Sequence, residues 1–378
     1  MLQEMVRDFA ANEVTPVAEE LDHKAEFPHE IVKNMAELGL MGIPIPEKYG
    51  GAGMDTVGYV TAVYEMAKAD ASVAITLSAH TSLGTMPILL VGTEEQKKKY
   101  LPPLASGEII GAFGLTEPGA GSDAGATKTT AVLDGNEWII NGGKIFTTNA
   151  GVAGLLLATA VVMKKNEKKG IGAFIINADN PGLTIGPPEK KMGWKASDTR
   201  QLFFEDLRIP KDNLLGNPTD GFKTFLKALT GGRISIAALS TGTAEGAYIA
   251  ALKYSTEREA FGKPIHKYQS VGFKLSQMAT EIEASKLLVY QAAHKYDLGQ
   301  SVIKEAAMAK LFASETAMRT TTEAIQIFGG YGYIKEYHVE RFFRDAKVLT
   351  IGEGTSEVQK MVILRELLKD VQNNLPQN

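Results

Sequence analysis

Cysteine is absent from the 378 residues, which removes disulfides, thiolate zinc sites and a cysteine nucleophile together. Basic residues are not in excess: Lys+Arg number 40 against Asp+Glu 44, a net charge of −4. Neither nucleic acid nor an anionic membrane surface is therefore expected as the main partner. Histidine is scarce and scattered. The six, His23, His29, His80, His266, His294 and His338, include no pair at i, i+4 or HExxH spacing, so no metal site is expected. The N-terminal MLQEMVRDFAANEV lacks the apolar stretch of a signal peptide, and no apolar run reaches the roughly 18 residues of a membrane span. A soluble, intracellular protein is expected, long enough for two or three domains.

Three textures follow one another. Residues 1–105 read as helix: VRDFAANEVTPVAEEL, EIVKNMAELGL and YVTAVYEMAKA repeat apolar residues at three- and four-residue steps. Residues 106–218 read as strands. TKTTAVLDGNEWIINGGKIFTTNAG carries β-branched and aromatic runs separated by Asp-Gly and Asn-Gly-Gly, the chemistry of tight hairpin turns. Residues 219–378 return to long helical patterns of the kind that build an antiparallel bundle. The fold class is multi-domain α+β: an N-terminal all-α domain, a middle β-barrel or sandwich domain and a C-terminal four-helix-bundle domain. Strands do not alternate with helices, so a parallel dinucleotide-binding sheet is not expected.

Several short segments admit a chemical reading beside a plain one. GLTEPGAGSDAG (114–125) lacks GxGxxG spacing; it is either an interdomain loop or a wall of backbone amides with Thr116 and Ser122 hydroxyls that could hold a flat polar ring. In KIFTTN (144–149), strand alternation sends Phe146 and Thr148 to one face, for packing or to stack on and bond a planar cofactor. Arg258 in EREAFGKPI ends a helix, as a dipole-favoured cap or a phosphate ligand. IQIFGGYGYIKEY (325–337) stops a helix abruptly, or clears space for a close approach. Near the C-terminus, TIGEGTSEVQ isolates Glu353 between Gly352 and Gly354. Ser356 and Gln359 there have capping-box spacing, which puts Glu353 just outside a helix start.

Taken in order, GAFGLTEPGAGSDAG, KIFTTNAG, EREAFGKPI, QIFGGYGY and EGTSEVQ resemble the acyl-CoA dehydrogenase family, most closely its short- and branched-chain members such as butyryl-CoA dehydrogenases. The resemblance covers essentially the whole chain. It implies a noncovalent FAD between the β domain and the bundle, with Leu115, Thr116, Phe146 and Thr148 around the flavin ring and Ser122 shared between flavin and substrate. Arg258, Phe261, Gln269, Gln326, Gly329 and Gly330 match residues that reach the FAD of a neighbouring subunit, and Thr355 and Glu357 match positions near its ADP part. Glu353 matches the base that removes the α-proton of an acyl-CoA thioester while flavin N5 accepts a hydride from the β-carbon. The same resemblance implies that Thr230, Arg233 and Gly354 line the substrate path. A homotetramer and electron-transferring flavoprotein as electron acceptor are implied. The compartment implied is the bacterial cytoplasm, or the mitochondrial matrix for a processed form.

The chain departs from the family pattern in places. Gly352 stands where tyrosine is common, which implies a wider acyl pocket. Gly232 stands where some relatives carry their base, leaving Glu353 alone. Thr230 replaces a frequent aspartate, and Phe146 a tryptophan. Arg200 in KASDTR is assigned to structure. SVAITLSAHTSL (72–83) should line the distal acyl end and has no arginine for a dicarboxylate, while His80 within it is assigned to packing. Two alternatives stay open: an oxidase that passes electrons to oxygen, and a flavin-binding protein that has lost turnover.

Overall fold

The computed structural model describes residues 1–165 and 167–374. The first segment is helical, with α1 (Leu2–Phe9), α2 (Ala18–Lys24), α3 (His29–Glu37), α4 (Thr56–Ala69), α5 (Ala71–Ala79), α6 (Met86–Val91) and α7 (Glu94–Ala105). Local chemistry sets several starts. Asp55 and Asp70 accept from the amides of Gly58 and Val73 to cap α4 and α5, and Thr93 with Gln96 closes a capping box on α7.

The sequence 71–91 is helical almost throughout, with a π-turn at His80–Thr85. Contrary to expectation it is long and apolar enough to cross a membrane, at a mean hydropathy of 1.4, but 78% of that window is buried inside the protein. It is a core helix.

The strands are β1 (Ile110–Gly114), β2 (Thr130–Asp134), β3 (Glu137–Thr148), β4 (Ala153–Lys164), β5 (Glu167–Asn177), β6 (Leu183–Pro188), β7 (Thr199–Pro210) and β8 (Leu214–Leu215). They form one mixed sheet in the order β6-β7-β3-β2-β4-β5-β8, with β1 lying parallel to the first half of β4. Trp138 on β3 meets Phe174 on β5 with ring centroids 5.2 Å apart. Those strands would be about 14 Å apart in a flat sheet, so the sheet curls around one core that joins Ile140, Leu156, Phe174, Leu202 and Phe204. The opposite side of β4 and β5 packs on Tyr100, Leu101 and Leu104 of α7.

One of the two expected hairpin turns is real. Asp134-Gly135 joins β2 to β3, with Gly135 at φ +60. Asn141-Gly142-Gly143 lies inside β3 instead. The β3–β7 register slips between Ile140 and Gly142, and Gly142 sits at φ +137 with its Cα side against Thr129; a Cβ there would come within 2.8 Å of the Thr129 Cα. These glycines mark a bulge at a close backbone approach rather than a chain reversal.

The last third contains α8 (Gly221–Glu257), the two-residue strands β9 (Glu259–Ala260) and β10 (Lys263–Pro264), α9 (Gln269–Asp297), α10 (Ile303–Phe328), α11 (Val339–Leu349) and α12 (Ser356–Asn374). Helices α8, α9 and α10 pack on one another, and α11 and α12 lie against α10. The first and last segments share a core: Val63, Met66 and Leu77 pack in one cluster with Ile234, Leu239, Val289 and Leu349.

Candidate active site

The turn between α11 and α12 is fixed from several directions. Gly352 donates its amide to the Val348 carbonyl at 2.8 Å, closing α11. Glu353 then takes φ +52 and Gly354 φ +97, a left-handed pair that is unfavourable at a glutamate. The Gln359 amide donates to the carbonyls of Glu353 (3.2 Å) and Gly354 (2.9 Å), and the Lys310 ammonium donates to Gly354 as well (2.8 Å).

The expected capping box does not form. The Ser356 hydroxyl is held by Glu315 of α10 at 2.6 Å, and the Gln359 amide is used by the turn. Thr355 caps α12 instead, accepting from the Val358 amide at 3.3 Å.

The two glycines beside Glu353 differ in kind. Gly354 is obligatory, because of its φ and because a Cβ would lie 2.7 Å from Gln359 Nε2. A Cβ at Gly352 would meet only the Val348 carbonyl, at an ordinary 3.5 Å. Nothing in the backbone requires glycine there, so its effect is to leave space open.

The Glu353 carboxylate lies over α8 at Gly232, where an added Cβ would fall 2.5 Å from Oε2. Part of the residue remains accessible, but Oε2 is buried with no hydrogen-bond partner. Burial pushes its pKa up to about 7, against the opposing charges of Arg233 and Lys310. Burial in turn lowers both cations, Lys310 to about 8. The group that moderates Glu353 is thus a pair of buried cations rather than the helix terminus alone.

Sequence reasoning passes over Lys310. Its signal is legible afterwards: Ala306, Ala309, Ala313 and Ala317 form a buried helical stripe, and Lys310 lies within it at 0% exposure. Arg233, expected on the substrate path, is buried beside Glu353 with its Nε unpaired. Thr230 is also buried, and its hydroxyl proton is committed to the Leu226 carbonyl at 3.1 Å. Toward a substrate it could act only as an acceptor.

A second cluster lies where β1 meets β3. The Ile145 amide donates to the Thr116 carbonyl at 2.8 Å, joining the Leu115–Thr116 loop to KIFTTN. Beneath it Lys144, wholly buried, donates to the Leu115 carbonyl (3.2 Å), Glu117 Oε1 (2.7 Å) and Thr127 Oγ1 (3.1 Å). Burial would raise the Glu117 carboxyl, but the bonds from Lys144, Thr127 and the Lys128 amide overcome it and hold the pKa at about 2.

Simple alternation fails along this strand. The register slips between Lys144 and Thr147, Phe146 adopts φ +56, and Lys144 and Thr147 are both buried although three apart. Phe146 is left 62% exposed, with Thr148 half-buried two residues on and Ser122 exposed on the facing loop. Arg200 bonds Asp198 (2.7 Å) and the Gly186 carbonyl (3.2 Å), and His80 bridges the Gly111 amide and the Leu104 carbonyl, both as internal ties.

The two clusters meet across α5. Asn149 at the end of β3 donates to the Thr76 carbonyl, and Ser78 bonds Ser235, whose hydroxyl donates to the Gly232 carbonyl under Glu353. FAD, implied by the resemblance, fits this region. Thr147 Oγ1, Asn149 Oδ1, Trp194 Nε1 and Ser197 Oγ are buried without partners, and Phe146 offers an uncovered ring.

The remaining expected residues lie elsewhere. Arg258 ends α8, about 37 Å along that helix from Arg233, with its guanidinium 5.6 Å over the Tyr331 ring. It shares an open groove with Phe328, Gly329 and Gly330, and a Cβ on either glycine would meet nothing within 4 Å. Phe261 is 97% exposed at φ +48, and Gln269 and Gln326 are exposed. Thr355 and Glu357 stand at the start of α12, half-buried and exposed. The single chain brings Leu115, Thr116, Phe146 and Thr148 together, and separately Arg258, Gly329 and Gly330.

Comparison with known proteins agrees along the whole length. The N-terminal, middle and C-terminal domain models of acyl-CoA dehydrogenase match residues 1–108, 112–207 and 219–368. A probable acyl-CoA dehydrogenase of Bacillus subtilis, YngJ, is 53% identical over 98% of this chain and 97% of its own. Butyryl-CoA dehydrogenase from Megasphaera elsdenii superposes with a TM-score of 0.95 at 47% identity, covering 97% of both chains. A chain from the structural work on the electron transferring flavoprotein of Acidaminococcus fermentans and flavin-based electron bifurcation superposes at 0.96 with 48% identity, covering 98% of this chain and 97% of that one. The three-domain fold, the isolated glutamate over Gly232 and these matches lead to one conclusion: the chain belongs to the acyl-CoA dehydrogenase family.

Proposed function

We propose that the protein is an FAD-dependent dehydrogenase that converts a short- or branched-chain acyl-CoA to the trans-2-enoyl-CoA, with Glu353 as its base. The observation that carries the reading is the Glu353 carboxylate, sealed at Oε2, unpartnered and with its pKa raised to about 7. The α-proton of a thioester is weakly acidic, so a base must be desolvated to compete for it. Arg233 and Lys310 oppose the effect of burial and favour the ionised carboxylate.

Bound FAD supplies the acceptor for the hydride that leaves the β-carbon. Leu115, Thr116, Phe146 and Thr148 hold the ring, Ser122 meets both ring and substrate, and the Lys144–Glu117 pair keeps their loop and strand in register. Arg233, Thr230 and Gly354 border the substrate, with Thr230 as an acceptor. Electron-transferring flavoprotein is the partner that removes the electron pair.

A homotetramer is the assembly this reading takes. Arg258, Phe261, Gln269, Gln326, Gly329 and Gly330 would then complete the cofactor site of a partner subunit, with Thr355 and Glu357 near its ADP part. The distance between Arg258 and Arg233 along α8 supports it, as does the bare Phe261 ring. The domain limits are set at residues 1–105, 106–218 and 219–378. The bacterial cytoplasm is the compartment proposed, as the relatives named above are bacterial; a mitochondrial matrix form would carry the same site.

The test is an anaerobic visible titration of the holoprotein with butyryl-CoA and its branched analogues. Bleaching of the flavin band is expected, and the most effective thioester ranks the substrates. Glu353→Gln should keep the flavin and lose turnover by about 10²–10⁴-fold; a fully active variant would remove Glu353 from the role. Peroxide formed in step with substrate and without added acceptor would move the assignment to an oxidase.

A further inference from the structure

Lys310 is a lysine in an alanine stripe, and its burial needs a cause. An ammonium taken wholly out of water is costly unless it is bonded. Here it donates at 2.8 Å to the Gly354 carbonyl, one peptide beyond the base. That carbonyl also takes the Gln359 amide at 2.9 Å, and the next anchor, Ser356 to Glu315, returns to the same helix α10. The left-handed backbone at Glu353 and Gly354 is thus held by side chains of α10 and α12, one of which carries a full charge.

We propose that Lys310 is a positioning residue for the base: its buried ammonium grips the Gly354 carbonyl, holds the 353–354 turn in its left-handed form and so keeps the Glu353 carboxylate over Gly232. The inference rests on the reading of Glu353 as base. The same charge stabilises the ionised carboxylate. Arg233 from α8 and Tyr59 from α4 also face the carboxylate, while Glu315 from α10 and Glu357 from α12 act on Lys310 itself. Arg233 and Lys310 are the two cations among them, so removing one leaves the base more basic and less fixed.

Lys310→Met tests this in the FAD-loaded enzyme, with Glu353→Gln measured beside it. The Met side chain fills the stripe, and the Gly354 carbonyl keeps its bond from Gln359, so folding and flavin content should hold. The expected result has two parts: kcat falls about 10–100-fold with KM little changed, and the acidic limb of the kcat profile moves up by about one pH unit. A readout independent of turnover is the infrared band of the protonated Glu353 carboxyl, identified by its loss in Glu353→Gln, which should titrate at higher pH in Lys310→Met. If Lys310→Met does not fold, Lys310→Gln, which keeps a polar head without charge, should give the same shift.

An acidic limb and carboxyl titration that stay in place, or an unchanged kcat, overturn the proposal. With Glu353→Gln inactive, that outcome touches Lys310 alone. An active Glu353→Gln would instead remove the base reading itself.

Discussion

Gly232→Ala should make a more stable protein that is a poorer catalyst. Gly232 lies in the interior of α8 with ordinary helical φ, where alanine is favoured over glycine by about 1 kcal/mol. The added methyl, however, would sit 2.5 Å from Glu353 Oε2 and 3.2 Å from its Cδ, where ordinary contact begins at 3.4 Å. The carboxylate is the mobile partner, so it must retreat by roughly 1 Å, a misplacement that can cost about a hundredfold in rate. The assay combines kcat with the preferred thioester, flavin content from the visible band, and thermal melting. Expected are full flavin content, a melting temperature about a degree above the parent, and kcat down about 100-fold. A kcat within two- to threefold of the parent (about 0.5 kcal/mol) would refute the argument that catalysis depends on the carboxylate occupying the space above Gly232. A lowered melting temperature would show instead that the helix, not the carboxylate, absorbs the methyl.

Glu117 has its pKa held at about 2, below the ordinary glutamate value of 4.5, so its contribution to stability is present above pH 4.5 and lost as the pH falls toward 2. Acid unfolding should therefore begin in that window and become shallower in Glu117→Gln, while Lys144→Met, which strands a buried carboxylate, should cost about 3–5 kcal/mol in denaturant unfolding at neutral pH. Gly352→Tyr should fold normally, since its Cβ meets only one carbonyl at 3.5 Å; relative kcat/KM for the bulkier thioesters should fall by about 10-fold or more against butyryl-CoA. Phe261→Ala removes a ring that touches little of its own chain, so circular dichroism should not change. Sedimentation and the flavin-to-protein ratio on dilution should show weaker assembly and about tenfold easier cofactor loss; unchanged values would count against a subunit-bridging role.

The helical textures were legible because periodicity records which face is buried, and α8, α10 and the α–β–α order all follow from it. The sheet was legible in composition but not in connection. Asn141-Gly142-Gly143 has turn chemistry, yet the glycines serve the approach of Thr129, the residue just before β2. Phe146 and Thr148 were readable as a pair, whereas the bulge that buries Lys144 and Thr147 depends on register with β7. At the turn, Glu353 stood out by isolation between glycines. Of its surroundings, Gly232 and Arg233 entered only through the family resemblance and Lys310 not at all, because they reach it from two distant helices. The capping box misled for the same reason: Ser356 finds Glu315 across the bundle, which outcompetes its own helix end.

The shared core between the first and last helical segments has a consequence for how the protein is made. Val63, Met66 and Leu77 emerge early, but Ile234, Leu239, Val289 and Leu349 complete their cluster only near the end of translation. At about 5–20 residues per second, the early helices wait on the order of ten to fifty seconds with that apolar face uncovered. The nascent chain is therefore a natural client for chaperones, and a ribosome stalled within the β domain would release a sticky fragment rather than a folded first domain.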